Sequence, residues 1–212
     1  MVRKWIGYIG VGSLMCAALG CGILYTRQAR LQQAISDKVL RFHVLANSDS
    51  EADQNLKLAV RDAVGSFMQE KLTAVENLEE CELVVRQSLG EIEEAAAETI
   101  AENGYDYDVT AELEHTSFPV KNYGSYTFPA GDYEALRIVI GEGNGHNWWC
   151  VMYPNMCFSD SMYEVIDEEA GEKLRKVLTT EEYEKVLAEG DYQVRMKYFS
   201  WLNLYLEKLA EN

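Results

Sequence analysis

Hydrophobic and polar positions change their period several times along this chain, and each change marks an element. From Trp5 to Thr26 no residue is charged, while Arg3 and Lys4 precede the run and Arg27 and Arg30 follow it. As a helix rising about 1.5 Å per residue the run reaches roughly 33 Å, enough to cross a hydrocarbon core of about 30 Å. Cleaved signal cores are shorter, on the order of 7–15 residues, so length favours an uncleaved signal-anchor, while Ala17, Ala18 and Gly20 keep cleavage open. The reading is therefore a short n-region over 1–4, a transmembrane or signal segment over 5–26, a polar stalk over 27–37, and one folded domain over 38–212.

Within that domain Leu40, Phe42, Val44 and Ala46 alternate with Arg41, His43 and Leu45, which predicts a strand. Asn47-Ser48-Asp49-Ser50 breaks it, and Ser48 with Glu51 reads as a capping box opening a helix. That helix carries Leu56, Val60, Val64, Phe67 and Leu72 on one face. A second helix places Cys81, Val85, Leu89, Ile92, Ala96 and Ile100 at steps of three and four, and Asn103-Gly104 closes it. Tyr105 to Glu114 then alternates without error, as a strand does when one face is buried and the other wet. Residues 116–132 read as a loop rich in aromatics. Tyr133–Ile140 and Trp148–Tyr153 read as strands paired in a hairpin across the Gly-rich stretch 141–147. Thr179 with Glu182 makes a further capping box, and Val194, Tyr198, Trp201, Tyr205 and Leu209 line a last helix. The predicted class is α+β: a small antiparallel sheet packed with helices on one face, preceded by the N-terminal membrane helix.

Composition narrows the partners. Lys and Arg total 19 against 35 Asp and Glu, a net charge of −16, and such a surface repels phosphate backbones, so no nucleic acid is expected. Ile140-Gly141-Glu142-Gly143-Asn144-Gly145 imitates a phosphate loop, but it runs into the apolar strand Asn147-Trp148-Trp149-Cys150 where a phosphate site needs a helix N-terminus. A plain hairpin tip is the expectation, with no small-molecule substrate and no cofactor. The three histidines His43, His115 and His146 lack metal-ligand spacing. No nucleophile elbow is present, so no enzyme is expected. Arg61, Asp62 and Arg137, on otherwise apolar elements, are expected to form ion pairs. Cys150 and Cys157 flank Tyr153-Pro154, and either close a disulfide around that turn or stay buried thiols. Cys81 is expected in the core.

Two blocks carry a resemblance. Arg41-Phe42-His43-Val44-Leu45-Ala46-Asn47-Ser48-Asp49-Ser50, with Asp53-Gln54, Leu56-Lys57-Leu58 and Val60-Arg61-Asp62-Ala63-Val64, form the first. Tyr123-Gly124, Pro129 through Gly143, Asn147-Trp148-Trp149-Cys150-Val151, Pro154 and Cys157-Phe158 form the second. Together they resemble the stage II sporulation protein R family. The resemblance implies a non-catalytic protein exported from the forespore into the space between forespore and mother cell. There it would activate a membrane-embedded aspartic protease that processes the precursor of sigma factor E. The resemblance also orients the chain, with the short N-terminus inside and the body outside. From the two blocks the candidate partner-binding residues are Arg41, His43, Asn47, Asp49, Arg137, Asn147, Trp148 and Trp149. Competing readings are a cell-wall hydrolase using His43 and Asp49 as acid and base, and a structural envelope protein assembling through its last helix.

Overall fold

Helix α1 (Val2–Ser36) opens the chain. The computed structural model describes residues 2–154, 156 and 168–187, with side chains from residue 19 onward and, after the gap, from residue 171. The charge-free run lies in α1, most of it before residue 19. Among the described residues no helix is long and apolar enough to cross a membrane, so the predicted span gains no support here. The end of α1 is docked on the domain and does not stand free as a stalk. Ile35 is fully buried, and the Ser36 hydroxyl donates to the Asp132 carbonyl at 2.6 Å.

Strand β1 (Leu40–Leu45) follows, and its alternation sends Leu40, Phe42 and Val44 to one side and the equally buried Arg41 and His43 to the other. Helix α2 (Glu51–Leu72) is capped by Ser50, whose hydroxyl accepts from the Asp53 N–H at 3.1 Å. Ser48, predicted as the cap, has its hydroxyl engaged elsewhere: it donates to the Asp53 carboxylate at 2.5 Å. Helix α3 (Leu78–Glu102) starts at the cap Asn77 and stops at Gly104, which takes a φ of 82°.

The strands that follow are β2 (Val109–Phe118), β3 (Lys121–Tyr123), β4 (Tyr126–Phe128), β5 (Gly131–Ile140) and β6 (Asn147–Tyr153). Helices α4 (Glu168–Val177) and α5 (Thr180–Leu187) complete the described chain. β2 begins later and ends later than its alternation suggested, and two short strands occupy the stretch expected as loop. At the start of α5 the predicted capping box is present: the Thr179 N–H donates to the Glu182 carboxylate at 2.7 Å, and the Glu182 N–H returns to the Thr179 hydroxyl at 3.4 Å. The apolar positions 194–209 and Cys157 lie outside the described residues.

The four-stranded sheet runs β2-β5-β1-β6, and β3-β4 form a separate ribbon. It is mixed, not antiparallel, because β1 and β5 run parallel. The chain leaves β1 through two helices, returns along the edge strand β2, and turns back into β5, which therefore lands alongside β1 in the same direction. β5 and β6 are not a hairpin either. β1 lies between them, bonded to both, as befits a strand with buried side chains on both faces.

Both faces of the sheet are covered, where one was expected. On the first, Phe42, Val44, Leu136, Ile138 and Cys150 pack with Leu56, Val60, Val64, Val85, Ile92 and Ala96 of α2 and α3. On the second, Phe118, Tyr133, Ala135 and Val151 pack with Ile35 of α1, Phe128 of β4 and Leu174, Tyr183 and Val186 of the last two helices. The β2 edge is partly shielded, since Glu93 of α3 accepts the Ala111 N–H at 2.9 Å.

Candidate partner-binding face

Strand pairing places the candidate residues more finely than their order in the chain. Opposite His43 on β1 stand Arg137 on β5 and Trp149 on β6, and opposite Arg137 stands Glu112 on β2. Glu112, Arg137, His43 and Trp149 therefore form one row across all four strands on the second face. Arg41, two residues along β1, lies on the same face below that row.

Arg41 is fully buried, yet among the described residues it meets aromatic rings and no carboxylate. Its guanidinium lies 4.3 Å from the Phe118 ring centroid, 4.9 Å from Tyr133 and 5.3 Å from Phe128. Nε donates to the Cys150 carbonyl at 2.8 Å and one terminal nitrogen to the Tyr123 hydroxyl at 2.9 Å. The other terminal nitrogen, Nη1, has no hydrogen-bond partner among the described residues. This cage is the feature sequence reasoning missed. Its only signal was the aromatic density of residues 116–132.

His43 is buried and stacks on Trp149 with ring centroids 4.9 Å apart and planes 10° apart, with Phe118 at 5.2 Å on its flank. Neither ring nitrogen has a hydrogen-bond partner among the described residues. Burial, reinforced by the charges of Arg137 and Arg41, depresses its pKa to about 3, so the ring is neutral at any ordinary pH. Arg137 is more open and reaches Glu112 at 3.5 Å and Glu114 at 3.4 Å, the expected ion pair made with two acids. Trp149 is half-buried, with the Lys121 ammonium 5.6 Å from its ring.

Trp148 points the other way. It meets Phe42 edge-on at 5.5 Å, and the Arg61 guanidinium lies 5.1 Å from its ring. Arg61 also bonds Asp62 at 2.6 Å, as expected of an isolated arginine on an apolar helix.

Asn47 and Asp49 belong to a third group, at the end of β1. The Gly-rich stretch crosses that end on its way from β5 to β6, and it is bonded down along its length. Asn47 Oδ1 accepts the Glu142 N–H at 3.0 Å, and its amide donates to Asp53 at 3.0 Å. The N–H groups of Asn144 and Gly145 reach the carbonyls of Asn47 and Ala46. Asp49 accepts the His146 N–H at 2.7 Å and also bonds the His146 ring, contacts that lower its pKa. Gly141 has a φ of 57°, and a side chain there would strike Asn47. Asn147 opens β6 beside Leu45, half-buried.

The eight candidates thus divide into the row and its buried base (His43, Arg137, Trp149, Arg41), a loop clasp (Asn47, Asp49, with Asn147 next to it), and a packing residue (Trp148). His43 and Asp49, the acid–base pair of the hydrolase reading, do not meet. Among the described residues no group of His, Cys, Asp and Glu is placed to hold a metal ion. A cavity of about 400 Å³ lies elsewhere, where the ends of α2 and β6 meet α4, lined by residues that include Leu72, Cys81, Met152 and Lys176. Cys81 is buried and free, with its thiol pushed up to about 12 by burial. Cys150 is disulfide-bonded, and its predicted partner Cys157 lies outside the described residues.

A mixed four-stranded sheet covered on both faces, with helices on each, defines an α+β domain. The chain belongs to the stage II sporulation protein R family, whose model matches residues 36–163, the span that contains the whole sheet. Over 158 residues it is 39% identical to stage II sporulation protein R of Bacillus subtilis (strain 168), covering 74% of this chain and 70% of that protein. No solved structure matches it.

Proposed function

We propose that this sporulation protein is an exported messenger of endospore formation. It acts in the space between forespore and mother cell and activates the membrane-embedded aspartic protease that processes the precursor of sigma factor E. Family membership supports the sporulation role, and the row Arg137–His43–Trp149 carries the mode of action, contact with another protein. Trp and Arg are the usual anchors of such contacts, and Trp149 and Arg137 are both only partly buried. The disulfide at Cys150 agrees with an oxidising compartment outside the cytoplasm, and Cys157 is the partner we assign to it. The uncharged segment 5–26 serves as the export signal or tether, with the body beyond Arg30 on the far side of the bilayer.

Co-expression of the full chain with the protease and the sigma precursor in a non-sporulating host tests the reading. Processing is expected only when this chain is present. Equal processing without it overturns the activator role. A protease added to intact protoplasts is expected to cut beyond Arg30, and complete protection there overturns the export.

A further inference from the structure

The two edges of the sheet are finished differently. At the β6 edge the Met156 N–H donates to the Val151 carbonyl at 3.3 Å. At the other edge β2 pairs with β5 through ten consecutive residues without a bulge. In such a ladder every second residue turns its N–H and its carbonyl away from the neighbouring strand. The Asp108 carbonyl accepts from Gly141 on the β5 side at 2.8 Å, whereas the Ala111 N–H leaves the sheet to reach Glu93 at 2.9 Å. The outward set is therefore Ala111, Leu113, His115 and Ser117. Glu93 closes it at Ala111. Among the described residues nothing bonds the N–H groups of Leu113, His115 and Ser117, and His115 and Ser117 are exposed.

We propose that the edge of β2 from Leu113 to Ser117 receives an extended segment of a partner protein as a fifth strand, one in which basic and apolar residues alternate. That the occupant is a protein rests on the activator reading above.

The backbone is the first argument. An open edge is a template for another strand, and proteins that gain nothing from it blunt it with bulges, proline, lysine or a short strand. β2 is ten residues long and carries none of these. Main-chain bonds supply affinity in this mode of binding, and alternate side chains supply selectivity. Those side chains are the second argument. On the second face Glu112 and Glu114 share one arginine, Arg137, at 3.5 and 3.4 Å, which leaves an acid in excess. Basic residues on the incoming strand would stand opposite them. On the first face Leu113 is half-buried against the α2/α3 core, and an apolar residue beside it would extend that cover. A second copy fits poorly. It would bring the same acidic strand and another net charge of −16, and like charges across a strand pair are destabilising. The third argument is position: Glu112 ends the row of Arg137, His43 and Trp149, so an added strand continues the face already assigned to partner contact.

Two measurements on the full chain test this, and the first needs neither the protease nor a substitution. Amide hydrogen exchange is followed by NMR with a peptide of alternating Lys and Val. Its control has the same sequence N-methylated at every amide, which keeps the charge and removes the strand donors. The unmodified peptide is expected to slow exchange at Leu113, His115 and Ser117 about ten-fold, and the control to leave them unchanged. No slowing at these three amides, or equal slowing by both peptides, overturns the proposal. So does slowing that appears without peptide as the chain is concentrated, since the occupant is then a second copy. In the co-expression assay, Ser117→Pro removes one outward N–H and none of the bonds to β5. It is expected to lower precursor processing about ten-fold, the loss of one hydrogen bond, with an unchanged circular dichroism spectrum. Wild-type processing by that variant overturns the docking edge and leaves the activator role standing.

Discussion

The two faces of the sheet are built on different principles although alternating residues of the same strand supply both. On the α2/α3 face β1 contributes Leu40, Phe42 and Val44, and apolar side chains from two long helices cover them. On the other face it contributes Arg41 and His43, just as buried but covered by aromatic rings, a short ribbon and helix ends. The first face is a continuous apolar core, in which each side chain of Phe or Leu size contributes about 1.5–3 kcal/mol. The second holds polar groups with incomplete hydrogen bonding, for which the cost of desolvation offsets part of the gain from burial. The contrast separates a face built of continuous apolar packing from one that buries polar groups among aromatic rings, the face we propose for contact with a partner.

The sharpest way to break this contrast is to cut one large residue from each face. Phe42→Ala is expected to cost about 3–5 kcal/mol by urea denaturation, because α2 and β6 close over the cavity only in part. Arg41→Ala is expected to cost less, about 2–3 kcal/mol, and Arg41→Met to recover at least half, since the rings it packs against accept an apolar chain. Equal losses at Phe42 and Arg41 would show the two faces to be energetically alike.

Acidity probes the second face alone. His43 titrates near pH 3 when folded and near 6.5 when unfolded, so between those values the unfolded chain binds the extra proton. Stability is therefore full above about pH 6.5 and falls as the pH drops towards 3, with a slope of at most about 1.4 kcal/mol per unit from this group. His43→Gln is expected to flatten the stability–pH curve in that window, measured by chemical denaturation. An unchanged slope would mean that the ring protonates in the folded protein.

Smaller effects belong to the loop clasp. Asn47→Ala removes the acceptor of the Glu142 N–H and the donor to Asp53, a loss of about 1–2 kcal/mol. Faster amide exchange is expected at Glu142. Asp49→Asn, at an exposed position, is expected to leave the melting temperature unchanged and only to speed exchange of the His146 N–H. A large fall in melting temperature would show that the loop is part of the core.

Much of the local structure was legible because it depends on neighbours a few residues apart. The apolar stripes of α2 and α3, the alternation of β1 and the capping box before α5 follow from helical or strand geometry alone, whichever elements they later pack against. Cys81 and the Arg61–Asp62 pair were readable for the same reason. The division of the eight candidate residues was not. Asn47 looked like a surface contact because nothing within ten residues reveals that a loop nearly a hundred positions later donates to it.

The sequence by itself determined the family, the α+β class and most element positions, since motifs, periodicity and caps are properties of short stretches of chain. Tertiary structure alone decided that β5 lies parallel to β1, that β1 separates β5 from β6, and that Arg137, His43 and Trp149 stand in one row. Strand order and register are set by which apolar faces can be buried together, and that choice depends on the whole set of elements at once.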